Sequence, residues 1–134
     1  MLARVVLVVL AVAALAWLGL SLRGYDLYER GERLAFAPGG GQAPVEEAAR
    51  LLEDSRFLNP DTRPLLTKGA LLVARGGGRA PEEGVALIEE AVRREPDNVV
   101  AWAVLASATR RLDPERSRVA RARADELSPP VPSE

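Results

Sequence analysis

Residues Val5–Leu22 read VVLVVLAVAALAWLGLSL, 18 consecutive residues without a charge, bracketed by Arg4 and Arg23. As a helix rising about 1.5 Å per residue, this run spans about 27 Å, close to the hydrocarbon thickness of a bilayer. It is apolar on every face and starts at residue 5, so it fits poorly as a core helix. An uncleaved anchor uses the whole run and puts Trp17 toward one end, where an aromatic ring favours the membrane interface. A cleaved leader is the competing reading, since Ala14-Leu15-Ala16 offers an A-x-A site. Cleavage there would leave the apolar stretch WLGLSL at the new N-terminus. The expectation is a single-pass anchor over residues 1–23. The N-terminal side carries the amino group and Arg4. The other side carries Arg23, with Arg30 and Arg33 further along. Close counting favours the N-terminus inside and wider counting is nearly a tie; the expectation is the rest of the chain on the extracytoplasmic side.

From residue 23 onward, with Arg4 set aside, 17 Lys+Arg face 19 Asp+Glu, a net charge near −2. That balance argues against a general nucleic-acid binder, which carries a basic excess. The chain has no cysteine and no histidine. Thiolate nucleophiles, imidazole bases, disulfides and Cys- or His-ligated metals are therefore excluded. Paired acids such as Glu46-Glu47, Glu82-Glu83 and Glu89-Glu90 do not make an acid–base pair, because neighbours on a helix point about 100° apart. The triple-glycine runs Gly39–Gly41 and Gly76–Gly78 lack the Lys-Ser or Lys-Thr of a phosphate loop. No enzyme activity, cofactor or small-molecule substrate is expected.

The remaining residues are punctuated at regular intervals. Pro60, Pro96 and Pro129 stand 36 and 33 residues apart. Periods in this range indicate repeats. Counting back from each proline, the same offsets recur: Ala48, Leu52, Ser55; Gly84, Ile88, Ala91; Ser117, Arg121, Ala124. The first two sets put small and apolar side chains on one helix face. Counting forward, Trp102, Leu105, Ala106 and Thr109 fall on one face of a first helix, with Leu66, Ala70, Val73 and Leu27, Gly31, Leu34 as equivalents. The small residue in each set allows close helix approach. Asp97 or Asn98, and Asp61 or Thr62, are capping candidates. Pro81 with Glu82-Glu83, and Asp113-Pro114-Glu115, read as helix starts.

On Asn98, Ala101, Trp102, Leu105, Ala106, Ala124 and Pro129 in the third unit, and their counterparts in the other two, the chain resembles the tetratricopeptide repeat family. The resemblance covers residues 24–129, in units of about 24–60, 61–96 and 97–129. Leu34, Val73 and Thr109 stand where the family has an aromatic. Gly69 and Arg30 replace a usual leucine, and Arg121 an apolar residue. The resemblance implies an all-α fold: after the transmembrane helix, a right-handed superhelix of three antiparallel helix pairs. Residues 130–134, in the Pro-rich ending SPPVPSE, are expected to be a disordered tail. The last helix, about Glu115–Leu127, is expected to be a polar cap.

The resemblance also implies a concave groove lined by first-helix residues: Tyr25, Tyr28 and Glu32; Thr67, Leu71 and Arg75; Ala103, Ser107, Arg110 and Arg111. Its arginines could hold an acidic or carboxylate-ended peptide, or could simply solvate helix C-termini. The Lys/Asn set of the family's carboxylate-clamp members is absent. Tyr25 and Tyr28 compete for a role as interfacial anchors beyond Leu22. Trp102 is expected to fill the core. Two functional readings follow. One is a membrane-anchored interaction module, an adaptor or assembly factor with a membrane-associated protein partner. The other is a structural subunit of a larger membrane assembly whose groove is idle.

Overall fold

The computed structural model describes residues 2–38, 41–58 and 61–128. Pro60, Pro129 and the tail at 130–134 lie outside the described residues, as do Gly39 and Gly40. Among the described residues there are six helices and no strands: α1 Leu2–Ala35, α2 Gln42–Leu58, α3 Arg63–Arg75, α4 Ala80–Arg94, α5 Val99–Thr109 and α6 Pro114–Leu127. Packing is heaviest within the consecutive pairs α1–α2, α3–α4 and α5–α6. Each pair is an antiparallel hairpin. Hairpins join through α2–α3 and α4–α5, and the odd-numbered helices also touch, α1 with α3 and α3 with α5.

Local chemistry sets the helix starts. The Asn98 side chain accepts the Ala101 N–H at 3.1 Å, and Asp113 accepts the Arg116 N–H at 3.0 Å. Each removes an orphan donor from a first turn. Asp61, not Thr62, supplies the side-chain bond at the start of α3, accepting the Arg63 N–H at 2.9 Å. Pro64, Pro81 and Pro114 occupy first-turn positions, where a missing N–H is harmless. Gly76–Gly78 forms the α3–α4 turn, with Gly78 at φ 59°, a conformation that favours glycine.

The recurrent offsets mark the buried face of the second helices. Of the nine residues in the three sets, eight are buried; Arg121 is exposed. Leu52, Leu65 and Ile88 are fully enclosed, each contributing about 1.5–3 kcal/mol from apolar burial. One apolar cluster joins units two and three through Leu65, Leu66, Ile88, Ala101 and Leu105. Another joins α1, α2 and α3 through Tyr28, Ala35, Val45, Leu52 and Leu71. Ion pairs stitch the hairpins: Lys68–Glu53 at 2.7 Å, Arg56–Glu90 at 3.7 Å, and Arg116–Glu89.

In α5 the expected face holds, with Leu105, Ala106 and Thr109 buried, whereas the first helices of units one and two are rotated from theirs. In α1 the buried positions are Gly24, Tyr28, Gly31 and Ala35, whereas Leu27 and Leu34 are half-buried. α1 packs against α2 on one side and α3 on another, which turns Tyr28 into the wedge between them. In unit two the close-approach residue is Gly69 rather than Ala70. Trp102 is half-buried; its ring packs on the core cluster while Nε1 donates to the Pro96 carbonyl at 2.8 Å.

α1 is one uninterrupted helix of 34 residues, about 51 Å long. The expected boundary at residue 23 is therefore not a break in structure. The uncharged run continues without a break into the part of α1 that packs on α2 and α3. Its most apolar 18-residue window has a mean hydropathy of 2.7, and none of that window is buried. This helix is long and apolar enough to cross a membrane or to serve as a leader.

Candidate functional site

The residues expected to line one groove do not come together in one place. Tyr28, Glu32, Thr67 and Leu71 meet at the α1–α3 seam. The Tyr28 hydroxyl donates to Glu32 Oε1 at 2.8 Å and lies 3.3 Å from Thr67 Oγ1. Tyr28 and Leu71 are 8% and 5% exposed and belong to one apolar cluster. They hold two hairpins together and present little surface to a ligand. Tyr28 is likewise removed from any role at a membrane interface, whereas Tyr25 is exposed. Burial pushes the Tyr28 phenol above its ordinary value; the Thr67 contact opposes this, and Glu32 reinforces it. The phenol stays a neutral donor.

Arg75 is exposed, and both terminal nitrogens lie 3.3 Å from the Ala37 carbonyl oxygen. A guanidinium just past the end of α1 satisfies a carbonyl and complements the helix dipole. Its role is to tie α3 to the end of α1.

Ser107, Arg110 and Arg111 lie elsewhere, on an open cleft of about 500 Å³ between α3, the start of α4 and the end of α5. Ala70, Val73 and Ala74 supply the α3 wall, Pro81 one end, and Val104 and Ala108 the α5 wall; Leu112 stands at the rim. The lining is mostly apolar. The two arginines at its mouth are exposed. Ala103 is exposed but outside the cleft.

The cleft exists because α3 contributes small side chains to the wall that faces α5. Ala70 and Ala74 lie one turn apart, so they leave a shallow trough. By spacing alone Ala70 and Val73 read as packing residues, whereas in the structure both line the cleft. The signal was the alanine pair at i, i+4 followed by Pro81. An apolar trough with guanidinium groups at one end can receive an apolar segment that ends in, or is flanked by, carboxylates. Glu82 and Glu83 are exposed, while Glu89 and Glu90 are engaged in ion pairs across or along helices.

A scan against protein-family models, a search of curated proteins and a search of solved structures returned no match to this chain.

Proposed function

We propose that this chain is a membrane-anchored helical-repeat module that binds a membrane-associated protein, acting as an adaptor or assembly factor. On this reading the three hairpins form a right-handed superhelix of the tetratricopeptide type, and Val5–Leu22 spans the bilayer with the array on the extracytoplasmic side. The observation that carries it is the Ser107–Arg110–Arg111 cleft in a chain whose apolar run, Val5–Leu22, is left uncovered by the rest of the fold. The partner segment that suits the cleft is apolar with an acidic end, since two exposed arginines stand over small aliphatic side chains.

The alternative reading is a structural subunit whose contacts run through the span. It rests on the uncovered surface of Val5–Leu22, of which Leu7, Leu15 and Trp17 are about two-thirds exposed.

Site-directed photocrosslinking in intact membranes separates the two. A photoreactive residue at Ser107 is compared with one at Val12 and one at Ala86, which is exposed on α4. A discrete adduct from Ser107 but not Ala86 supports the adaptor. Adducts from Val12 alone support the structural subunit. Release of the protein from membranes by alkaline carbonate would overturn the anchor in both.

A further inference from the structure

The end of α2 meets α1 at the level where the apolar run stops. Phe57 is the most exposed large apolar residue described, at 93%. It stands on a crevice with Leu20, Arg23, Leu27, Glu53 and Asp54. Leu20 lies two residues inside the end of the uncharged run and Leu27 five residues beyond it. At about 1.5 Å per residue, Phe57 therefore sits within roughly 8 Å of that end along the α1 axis. Tyr25, half exposed, occupies the same band of α1. α1 is continuous through this region, so the level of Phe57 relative to the span is set by helix packing and not by a linker.

We infer that Phe57 is a second membrane contact: the α2 end reaches the bilayer interface and inserts this ring among the headgroups beside the span. The inference rests on the reading of Val5–Leu22 as a membrane span. The occupant is the lipid interface and not a partner helix because half of the crevice lining is charged. Arg23, Glu53 and Asp54 line it together with Phe57; an apolar protein surface docked there would have to desolvate them. The interface accepts an aromatic ring and hydrated charges side by side. A span alone leaves the protein free to rotate about its axis. A second contact off that axis fixes which face of the array is turned to the membrane.

The chain has no cysteine, so single nitroxide labels can be placed without altering anything else. Phe57→Cys costs no packing, because the side chain is exposed. The full chain is reconstituted into vesicles of equal parts phosphatidylcholine and phosphatidylglycerol. Phe57→Cys, Val12→Cys and Ala86→Cys are labelled separately. Power saturation then compares collision with oxygen, which enters lipid, and with a water-soluble nickel chelate. The proposal expects the Phe57→Cys label to fall between the other two, with oxygen collisions raised and nickel collisions reduced relative to Ala86→Cys. A Phe57→Cys label that matches Ala86→Cys, while Val12→Cys stays lipid-exposed, overturns the second contact and leaves the span. If Val12→Cys also reports water, the span reading fails with it. A Phe57→Cys label immobilised and shielded from both reagents is covered by protein, a second copy of the chain, and this too overturns the proposal.

Discussion

Gly69 and Gly84 meet backbone to backbone across the α3–α4 hairpin. A Cβ on Gly69 would lie 2.7 Å from the Gly84 carbonyl oxygen, and one on Gly84 would lie 2.6 Å from the Gly69 carbonyl oxygen. The oxygens belong to helix backbones and cannot swing aside. This pair lets the two helices close on Ile88, which is fully buried.

Alanine at either position gains up to about 1 kcal/mol of helix propensity, but forces the hairpin apart. Gly69→Ala and Gly84→Ala are each expected to destabilise the array by about 1–3 kcal/mol net, the usual cost of overpacking. Gly41→Ala meets nothing within 4 Å and should stay within about 0.5 kcal/mol of the parent. Denaturant unfolding followed by circular dichroism measures all three. A stabilised Gly84→Ala would contradict the close approach.

Tyr28→Phe keeps the ring and removes the hydroxyl that reaches Glu32 and Thr67. The expected loss is about 1 kcal/mol. In a double-mutant cycle with Thr67→Val the two losses should fall short of additivity, because both remove one contact. The raised Tyr28 phenol has a second consequence. Its stabilising effect is fully present below the ordinary tyrosine value of 10.0 and is lost as pH rises above it. Tyr28→Phe removes that alkaline fall.

The hydrogen bond from Lys68 Nζ to Glu53 Oε2, 2.7 Å long, holds the Glu53 carboxyl below its ordinary value of 4.5. A lowered carboxyl stabilises the folded state above the unfolded value, and the effect is lost as pH falls below it. Stability should therefore decline on acidification below about 4.5, and Lys68→Met should flatten this part of the profile. Glu53 is 42% exposed, so solvent screening keeps the change to about 0.5 kcal/mol or less. Unfolding midpoints across acid pH test the sign.

Arg110→Glu with Arg111→Glu inverts the charge at the cleft mouth. Both side chains are exposed, so stability should change by less than about 0.5 kcal/mol. The Ser107 photoadduct should be lost. Arg75→Glu is the contrast: it breaks the contact with the Ala37 carbonyl and puts an anion beside a helix C-terminus, at a cost of about 0.5–1 kcal/mol. An adduct that survives the Arg110/Arg111 reversal removes those arginines from partner binding.

The second helices were legible because their packing is one-sided. Ala48, Leu52, Ser55 and Gly84, Ile88, Ala91 each form a single buried stripe at helical spacing, even though α2 and α4 each pack on two neighbours. The first helices were harder because their contacts are spread over several other helices, two for α1, four for α3 and three for α5. Leu27 and Leu34 look like core from spacing, yet the three-way junction of α1, α2 and α3 buries Tyr28 between them. Gly69 looked like a gap in the apolar pattern, and only the facing Gly84 backbone explains it. Trp102 satisfies both its ring and its indole N–H by staying half-exposed beside Pro96, which large size and a single donor permit. The cleft at Ser107 was found in part, from the α5 side. Its α3 wall was hidden because Ala70 and Val73 fit a packing role equally well.

The passage of α1 from Leu2 to Ala35 without interruption bears on how far the array can search. A module on a flexible leash sweeps a volume that grows with leash length, and its target can lie at many heights. With Val5–Leu22 in a bilayer, this array has no leash. On the proposed reading its cleft is held in a thin shell at one height, and a partner would have to bring its docking segment to that height. In exchange, the ordering entropy that a tethered module loses on capture is already absent before the partner arrives.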